Sequence, residues 1–268
     1  MKNSQALLER KTTDQKQKAD HFRALHIPGK PLVLFNIWDV GSAQAVAAAG
    51  AKAIATGSWS VAHANGYDDG EQTPLDLTVD NLRRIVRTTH LPVSIDLESG
   101  YGAIAEEVGS TVRLSIQAGA VGCNLEDGLP SSGGLRAAVD QADRIRNARR
   151  ASEAAKIHFF INARTDVFFQ QPADQHDDSM VAEVVERAHV YAQAGADGLF
   201  VPGLTNLALI ARLAEASPLP INIMVVDSTS PLSALAEQGV ARVSHGPRPY
   251  LLAMKALEEA AREANGGR

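Results

Sequence analysis

Acidic side chains in this sequence gather in three short polar runs, each directly behind an apolar stretch. Asp96 and Glu98 follow residues 91–95, Glu126 and Asp127 follow 121–125, and Asp166 stands two residues after Arg164, behind the run that ends at Ala163. Asn36 and Asp39, Thr56-Gly57-Ser58, Asn162 and Ser244-His245 occupy comparable places. If these runs end on one rim, at least four carboxylates share it, and a hard cation is their natural complement. Mg²⁺ suits such oxygen donors and takes only one or two carboxylates directly, keeping several waters. Asp39 and Asp166 read equally well as helix N-caps, whereas Asp96, Glu98 and Glu126 read better as metal-directed acids. Arg164, behind an apolar run, is hard to place as a solvated charge. It suits a bidentate clamp on a substrate carboxylate, or a salt bridge to the surrounding acids. The small residues Thr56-Gly57-Ser58 offer backbone N–H groups to an anion or simply form a turn. Cys123 sits mid-run and reads as core rather than nucleophile.

The elements that must position these residues announce themselves by repetition. Ala48-Ala49-Gly50-Ala51, Gln117-Ala118-Gly119-Ala120, Gln193-Ala194-Gly195-Ala196 and Glu237-Gln238-Gly239-Val240 each close an amphipathic stretch, and a short apolar run follows. A glycine there suits the residue just past a helix C-terminus, so the signature is a helix-to-strand turn used four times. Its strands are residues 52–57, 121–126, 197–202 and 241–245. Four more apolar runs, 31–36, 91–96, 157–163 and 219–225, are bounded by proline or polar turns. Buried strands alternating with amphipathic helices make a parallel sheet covered by helices. Eight of them in 268 residues predict an α/β fold of the (β/α)₈ TIM-barrel type, with the polar runs at the strand C-termini where such barrels carry chemistry. A doubly wound sheet ranks lower, because no Gly-x-Gly-x-x-Gly turn follows the first strand. Residues 1–268 read as one domain. Residues 1–30 are a leading helical segment packing through Phe22, Leu25 and Ile27, and 250–268 a C-terminal helix frayed from Asn265 to Arg268.

Composition removes several function classes. The chain is 45% hydrophobic and 21% charged, with a net charge of −5 and no block of like charge. A nucleic-acid binder would show a basic face, so none is expected as partner. No long apolar run suggests a membrane span or signal core. One cysteine forms no internal disulfide, which suits the reducing cytoplasm.

The runs Ser94-Ile95-Asp96-Leu97-Glu98-Ser99-Gly100-Tyr101-Gly102, Leu125-Glu126-Asp127 and Asn162-Ala163-Arg164-Thr165-Asp166 resemble the isocitrate lyase / phosphoenolpyruvate mutase superfamily, and the similarity spans Phe35 to Pro247. The resemblance implies a (β/α)₈ barrel whose last helix is exchanged between subunits, giving a homodimer or homotetramer. It implies Mg²⁺ or Mn²⁺ held directly by Asp96, with Glu98 and Glu126 acting through bound water. Thr56, Gly57 and Ser58 match positions that bind the substrate carboxylate, Arg164 the arginine that contacts substrate, and Asp69 (rather than Asp68) the aspartate near the reacting centre. Glu126 and Arg164 join Asp69 as the catalytic set.

The sequence departs from its relatives at residues 128–136, Gly-Leu-Pro-Ser-Ser-Gly-Gly-Leu-Arg. The superfamily's lyases carry a Lys-Arg-Cys-Gly-His-type loop there, whose cysteine is an acid/base, and its mutases an asparagine; this chain has neither. Tyr67, Tyr101 and His245 stand as proton-donor candidates, each equally readable as packing or capping. The expected substrate is a small 2-oxo or 2-hydroxy (di)carboxylate, cleaved at a C–C bond through an enolate, as by a lyase, decarboxylase or hydrolase. The alternatives are a C–P mutase or hydrolase of the phosphonopyruvate type, and a non-catalytic barrel that binds metal and carboxylate.

Overall fold

The computed structural model describes residues 2–130, 132–226 and 230–266, with side chains from residue 12 onward. Eight strands appear where the apolar runs place them, each shorter than its run: β1 Leu32–Leu34, β2 Ile54–Ala55, β3 Val93–Asp96, β4 Gly122–Glu126, β5 Phe160–Arg164, β6 Gly198–Val201, β7 Ile221–Met224 and β8 Arg242–Ser244. All pair in parallel in the order β1-β8-β7-β6-β5-β4-β3-β2. A single bridge between Ile37 and Thr56 nearly closes the ring at the β1/β2 seam. There the Ile37 N–H donates to the Ala55 carbonyl at 2.9 Å and the Gly57 N–H to the Ile37 carbonyl at 3.1 Å. The helices are α1 Lys2–Ala24, α2 Val40–Ala48, α3 Ser58–Ala64, α4 Leu75–Val86, α5 Ala105–Ala118, α6 Ala138–Ala155, α7 Asp178–Ala194, α8 Leu207–Ala216, α9 Leu232–Glu237 and α10 Arg248–Ala264. The apolar faces of α2 and of α4 to α9 pack with the strands into one core.

The glycine signature has a steric cause. Gly50, Gly119, Gly195 and Gly239 all take positive φ, at 90°, 104°, 102° and 82°, where a side chain is strained. At Gly119 a Cβ would also lie 2.7 Å from the Val86 Cγ1. Gly119→Ala is therefore expected to cost about 1–3 kcal/mol, read as a lowered midpoint in urea unfolding, with catalysis by the surviving folded fraction unchanged.

The leading helix is shorter than the helical segment expected over residues 1–30. It ends at Ala24, so Leu25 and Ile27 fall in the following turn, and Ile27 is 48% exposed. Ala19 and Phe22 are its buried residues. Phe22 meets Phe160 edge-on at 5.6 Å, His26 stacks on the same ring at 3.9 Å, and Arg23 pairs with Asp197 at 2.5 Å. Phe160 and Asp197 stand at the N-terminal ends of β5 and β6, so α1 covers the barrel end opposite the polar runs.

The other terminus does the reverse. In α10 only Pro249 is buried, while Leu251, Leu252 and Leu257 are 50%, 50% and 62% exposed. Val33 on β1 and Phe35 just past it are also exposed, beside an apolar hollow of about 390 Å³ that runs to Val46 and Ala49 at α2. The eighth helix of a (β/α)₈ barrel belongs in the outer ring, but here it stands away from its own barrel. No described helix is long and apolar enough to cross a membrane. Of the frayed tail expected at 265–268, Gly267 and Arg268 lie outside the described residues, as do Ser131 and residues 227–229.

Candidate active site

The C-terminal ends of the strands surround a cavity of about 200 Å³. Asp96, Ser58, Asp69, Asn124 and Arg164 line one side of it, while Phe169, Phe200, Pro202, Met224 and Pro247 line the other. Polar ends come from β2 to β5, apolar ones (Phe200, Pro202 and Met224) from β6 and β7, and β8 adds the polar Ser244. Asn36 ties the rim across the seam. Its side chain accepts from the His245 and Gly246 N–H groups at 2.9 and 3.0 Å and donates to the Thr56 carbonyl at 3.0 Å.

Asp96 is the last residue of β3 and is buried. Its backbone N–H donates to the Thr56 hydroxyl at 2.9 Å, and its Oδ2 accepts from the Ser58 N–H at 3.2 Å. Its Oδ1 is buried and has no hydrogen-bond partner. An unpaired buried carboxylate oxygen is costly, so this atom marks a position suited to a cation. Thr56, Gly57 and Ser58 thus sit beside Asp96, but their amides are already committed to the Ser94 carbonyl, the Ile37 carbonyl and Asp96 respectively. Gly57 and Ser58 reach the cavity; Thr56 does not.

Glu98 lies two residues on, in a left-handed backbone conformation with φ 50°. Its Oε2 accepts from the Gly70 and Glu71 N–H groups at 2.8 and 2.6 Å, and its Oε1 from the Tyr101 hydroxyl at 2.9 Å. Burial first, then the charge of Asp69, pushes its carboxyl up to about 7. Glu71 reciprocates: its Oε1 accepts from the Ser99 hydroxyl and the Tyr101 N–H, both at 2.7 Å. Glu71 and Tyr101 also take positive φ, at 62° and 53°. Three non-glycine residues in that region within two interlocked loops hold local strain of the kind that collects at functional sites. The result fixes the loop that carries Asp69. Asp69 lines the cavity and Asp68 does not. Burial and then Asp96 raise its carboxyl, opposed by a hydrogen bond from Ser58 and by Arg164.

At the ends of β4 and β5, Arg164 is held threefold. Its Nη1 lies 2.7 Å from the Glu126 Oε2, while its Nε and Nη2 donate to the two oxygens of Asp166 at 2.6 and 2.9 Å. The guanidinium also lies 5.8 and 5.9 Å from the ring centres of Phe169 and Phe200. Burial raises the Glu126 carboxyl well above its ordinary value even though Arg164 opposes the rise. The two open readings of Arg164 therefore coexist: it lines the cavity, and it is salt-bridged to the rim acids. Asp166 is the chelating partner of Arg164 rather than a cap. Asp39 is a helix N-cap, accepting from the Ser42 N–H at 2.7 Å.

Sequence reasoning passes over the support behind this pair. Asp127 is fully buried and accepts from the Tyr191 hydroxyl at 2.7 Å, the Asp166 N–H at 3.0 Å and Arg187 at 3.1 Å. Its only signal in sequence is adjacency to Glu126. The described residues of the 128–136 segment, 128–130 and 132–136, are tied together, with the Leu129 N–H donating to the Gly134 carbonyl at 2.8 Å and the Arg136 N–H to the Asp127 carbonyl at 2.7 Å. None of the three proton-donor candidates lines the cavity. Tyr101 is committed to Glu98, and His245 shares its Nδ1 with the Leu34 carbonyl at 3.2 Å. Cys123 is buried in β4 and its thiol is pushed up by burial.

Among the described residues no three acidic, histidine or cysteine side chains form a ready-made metal cage. A hard cation that keeps most of its waters does not need one. The unpartnered Asp96 Oδ1 would offer such a cation one direct donor, and the charges of Asp96 and Glu98 both act on Glu126. The donor set fits Mg²⁺ or Mn²⁺ bound through one carboxylate.

Comparison with known proteins agrees with this layout. The phosphoenolpyruvate phosphomutase family model matches residues 22–265. A solved structure named a "putative phosphonomutase", from Burkholderia cenocepacia J2315, is 56% identical, with a TM-score of 0.91, and covers 94% of this chain and 100% of that one. The 2-methylisocitrate lyase of Escherichia coli K12 is 30% identical over 89% of this chain and 83% of its own. The oxaloacetate decarboxylase of Pseudomonas syringae pv. tomato is 29% identical over 90% of this chain and 83% of its own. With its eight-stranded barrel and its acids at the strand ends, the chain belongs to the phosphoenolpyruvate phosphomutase family, within the isocitrate lyase / phosphoenolpyruvate mutase superfamily whose members include these lyases.

Proposed function

We propose that this protein is a Mg²⁺-dependent (or Mn²⁺-dependent) lyase-type enzyme that breaks a C–C bond next to a 2-oxo or 2-hydroxy carboxylate through an enolate. The observation that carries the reading is the buried, unpartnered Asp96 Oδ1, on a residue that lines the cavity together with an arginine and a second aspartate. When bound, the metal would polarise the substrate oxygens and offset the charge that develops on the enolate. Asp96 would hold it directly, with Glu98 and Glu126 orienting its waters. Ser58 and Gly57 border the carboxylate end, beside Thr56, whose hydroxyl fixes the Asp96 backbone. Arg164, fixed by Glu126 and Asp166, orients the substrate. Asp69, whose raised carboxyl faces the same cavity, is the group placed to give or take a proton. Phe200, Pro202 and Met224, from the ends of β6 and β7, help keep water from the reacting carbon.

The test is release of an oxo acid from oxaloacetate, 2-methylisocitrate, substituted malates and phosphonopyruvate. Turnover of an oxo- or hydroxy-carboxylate that stops with chelator and returns with Mg²⁺ is the expected result. No turnover, together with no thermal stabilisation by Mg²⁺ plus oxalate, would leave a non-catalytic barrel. Turnover of phosphonopyruvate alone would replace C–C with C–P chemistry.

The exposed leucines of α10 and the bare outer face of β1 support a homodimer or homotetramer in which each α10 fills the partner's hollow, in the cytoplasm, where Cys123 stays reduced. Light scattering is expected to give at least twice the 28.5 kDa chain mass. The double change Leu251→Asp, Leu252→Asp is expected to shift the protein to monomer. A monomeric wild type overturns the exchange.

A further inference from the structure

Inside the barrel stands a cation without an acid. Arg242, on β8, is 1% exposed. Among the described residues it has no ion-pair partner, and its Nε and Nη1 have no hydrogen-bond partner. Its Nη2 donates to the Asn124 Oδ1 at 3.1 Å, on β4, four places away in the ring of strands. Burial pulls the guanidinium down to about 10, with Asp96 opposing, so it is charged at neutral pH. An unpaired cation inside a protein is costly, and its effect here falls on Asn124. An arginine only donates, so the Asn124 atom beside it is the carbonyl oxygen. The Asn162 Nδ2 donates to that same oxygen at 2.9 Å. Two donors on one oxygen fix which way the amide lies. The Asn124 Nδ2 is left on the other side. It donates to no described residue and is not sealed in the interior, and Asn124 lines the cavity. Other donors there are already engaged: the Ser58 N–H with Asp96, Asn36 with the Thr56 carbonyl, Ser244 with Asn222, and Arg164 with Glu126 and Asp166.

From this arrangement, and resting on the reading of the site as one for a chelating 2-oxo or 2-hydroxy acid, we infer that Asn124 is a substrate-binding residue. Its Nδ2 donates to a negatively charged oxygen of the bound acid, and Arg242 is the positioning residue that holds the amide in that sense. The acid offers such an oxygen at its carboxylate, and its enolate offers another. Arg242 does not itself reach the cavity lining; it acts through Asn124.

The test is a double-mutant cycle in oxalate affinity, measured calorimetrically on the full-length protein at saturating Mg²⁺. Asn124→Leu is expected to weaken oxalate binding about 10- to 100-fold, the worth of a hydrogen bond to a charged group. Arg242→Met trades an unpaired buried cation for an apolar chain. It is expected to unfold no earlier than the wild type and still to weaken oxalate, with Arg242→Lys, which keeps a donor, recovering part of the loss. The double variant should bind no worse than Asn124→Leu alone, because the two residues act as one unit. Asn124→Asp keeps the side-chain shape and an acceptor for Arg242 but loses the N–H. It serves if the leucine change unfolds the barrel, and should weaken oxalate at least as much. Oxalate affinity unchanged in either Asn124 variant overturns the inference while leaving the proposed function standing. Losses that simply add in the double variant overturn the positioning role of Arg242. A wild type that binds no oxalate with Mg²⁺ overturns the proposed function.

Discussion

Replacing Asp96 by asparagine is expected to abolish metal-dependent turnover, by more than the 10- to 100-fold typical of losing an outer-shell partner. The substitution keeps the side-chain shape, and the oxygen that accepts from the Ser58 N–H can remain in place. What disappears is the charge at the atom that now has no partner. The metal-free variant should therefore be at least as stable as the wild type, because an unpaired buried carboxylate has been neutralised. Stabilisation by Mg²⁺ plus oxalate, clear in the wild type, should be absent. Paired thermal-unfolding curves with and without Mg²⁺ check both statements. A variant that unfolds early in the absence of metal would show that Asp96 serves the barrel rather than a cation.

Arg164→Gln is expected to act in the opposite sense on stability and the same sense on activity. The guanidinium stands between Glu126 and Asp166, whose side chains are only 13% and 12% exposed. Removing one partner of a buried ion pair leaves uncompensated charge and costs about 3–5 kcal/mol. Burial already holds the Glu126 carboxyl well above its ordinary value, and Arg164 is the influence that opposes the rise; without it the carboxyl moves higher still. A group that titrates higher in the folded chain than in the unfolded one contributes stability below its unfolded pKa, and loses it as pH climbs through the folded pKa. The variant should therefore come closest to the wild type near pH 5 and fall furthest behind near pH 8. Urea midpoints across that range measure it. Adding Glu126→Gln should recover part of the loss and flatten the pH dependence. A deficit that does not change with pH would mean that the arginine contributes by packing alone.

Most of the barrel could be read from the chain because its signals are local. Parallel strands buried on both faces appear as apolar runs, and left-handed helix ends appear as glycines, so all eight strands and four of the turns were placed. Strand ends were less legible: the run at 157–163 begins with Ile157, whose N–H still closes the end of α6 by donating to the Ser152 carbonyl at 3.2 Å. Asp96 and Arg164 were legible as cavity residues because charge behind an apolar run has few other uses, whereas Asp69, in a polar loop, is singled out only by the family resemblance. The commitments of these residues were not legible, since they depend on loop paths. Glu98 turns onto the Gly70 and Glu71 amides through a left-handed residue, and nothing in Ser94–Gly102 encodes that partner. Phe200 and Met224 were likewise invisible as cavity wall, because an apolar residue at a strand end looks the same as core until the neighbouring loops are placed.

The central claim is that Asp96 holds a metal against a chelating acid in this cavity. Anomalous diffraction from crystals grown with Mn²⁺ and oxalate tests it most directly. The account predicts one Mn²⁺ bonded to Asp96 Oδ1, with oxalate on it beside Ser58 and Arg164. Manganese bound elsewhere on the chain, or oxalate bound with Asp96 left bare, would contradict it.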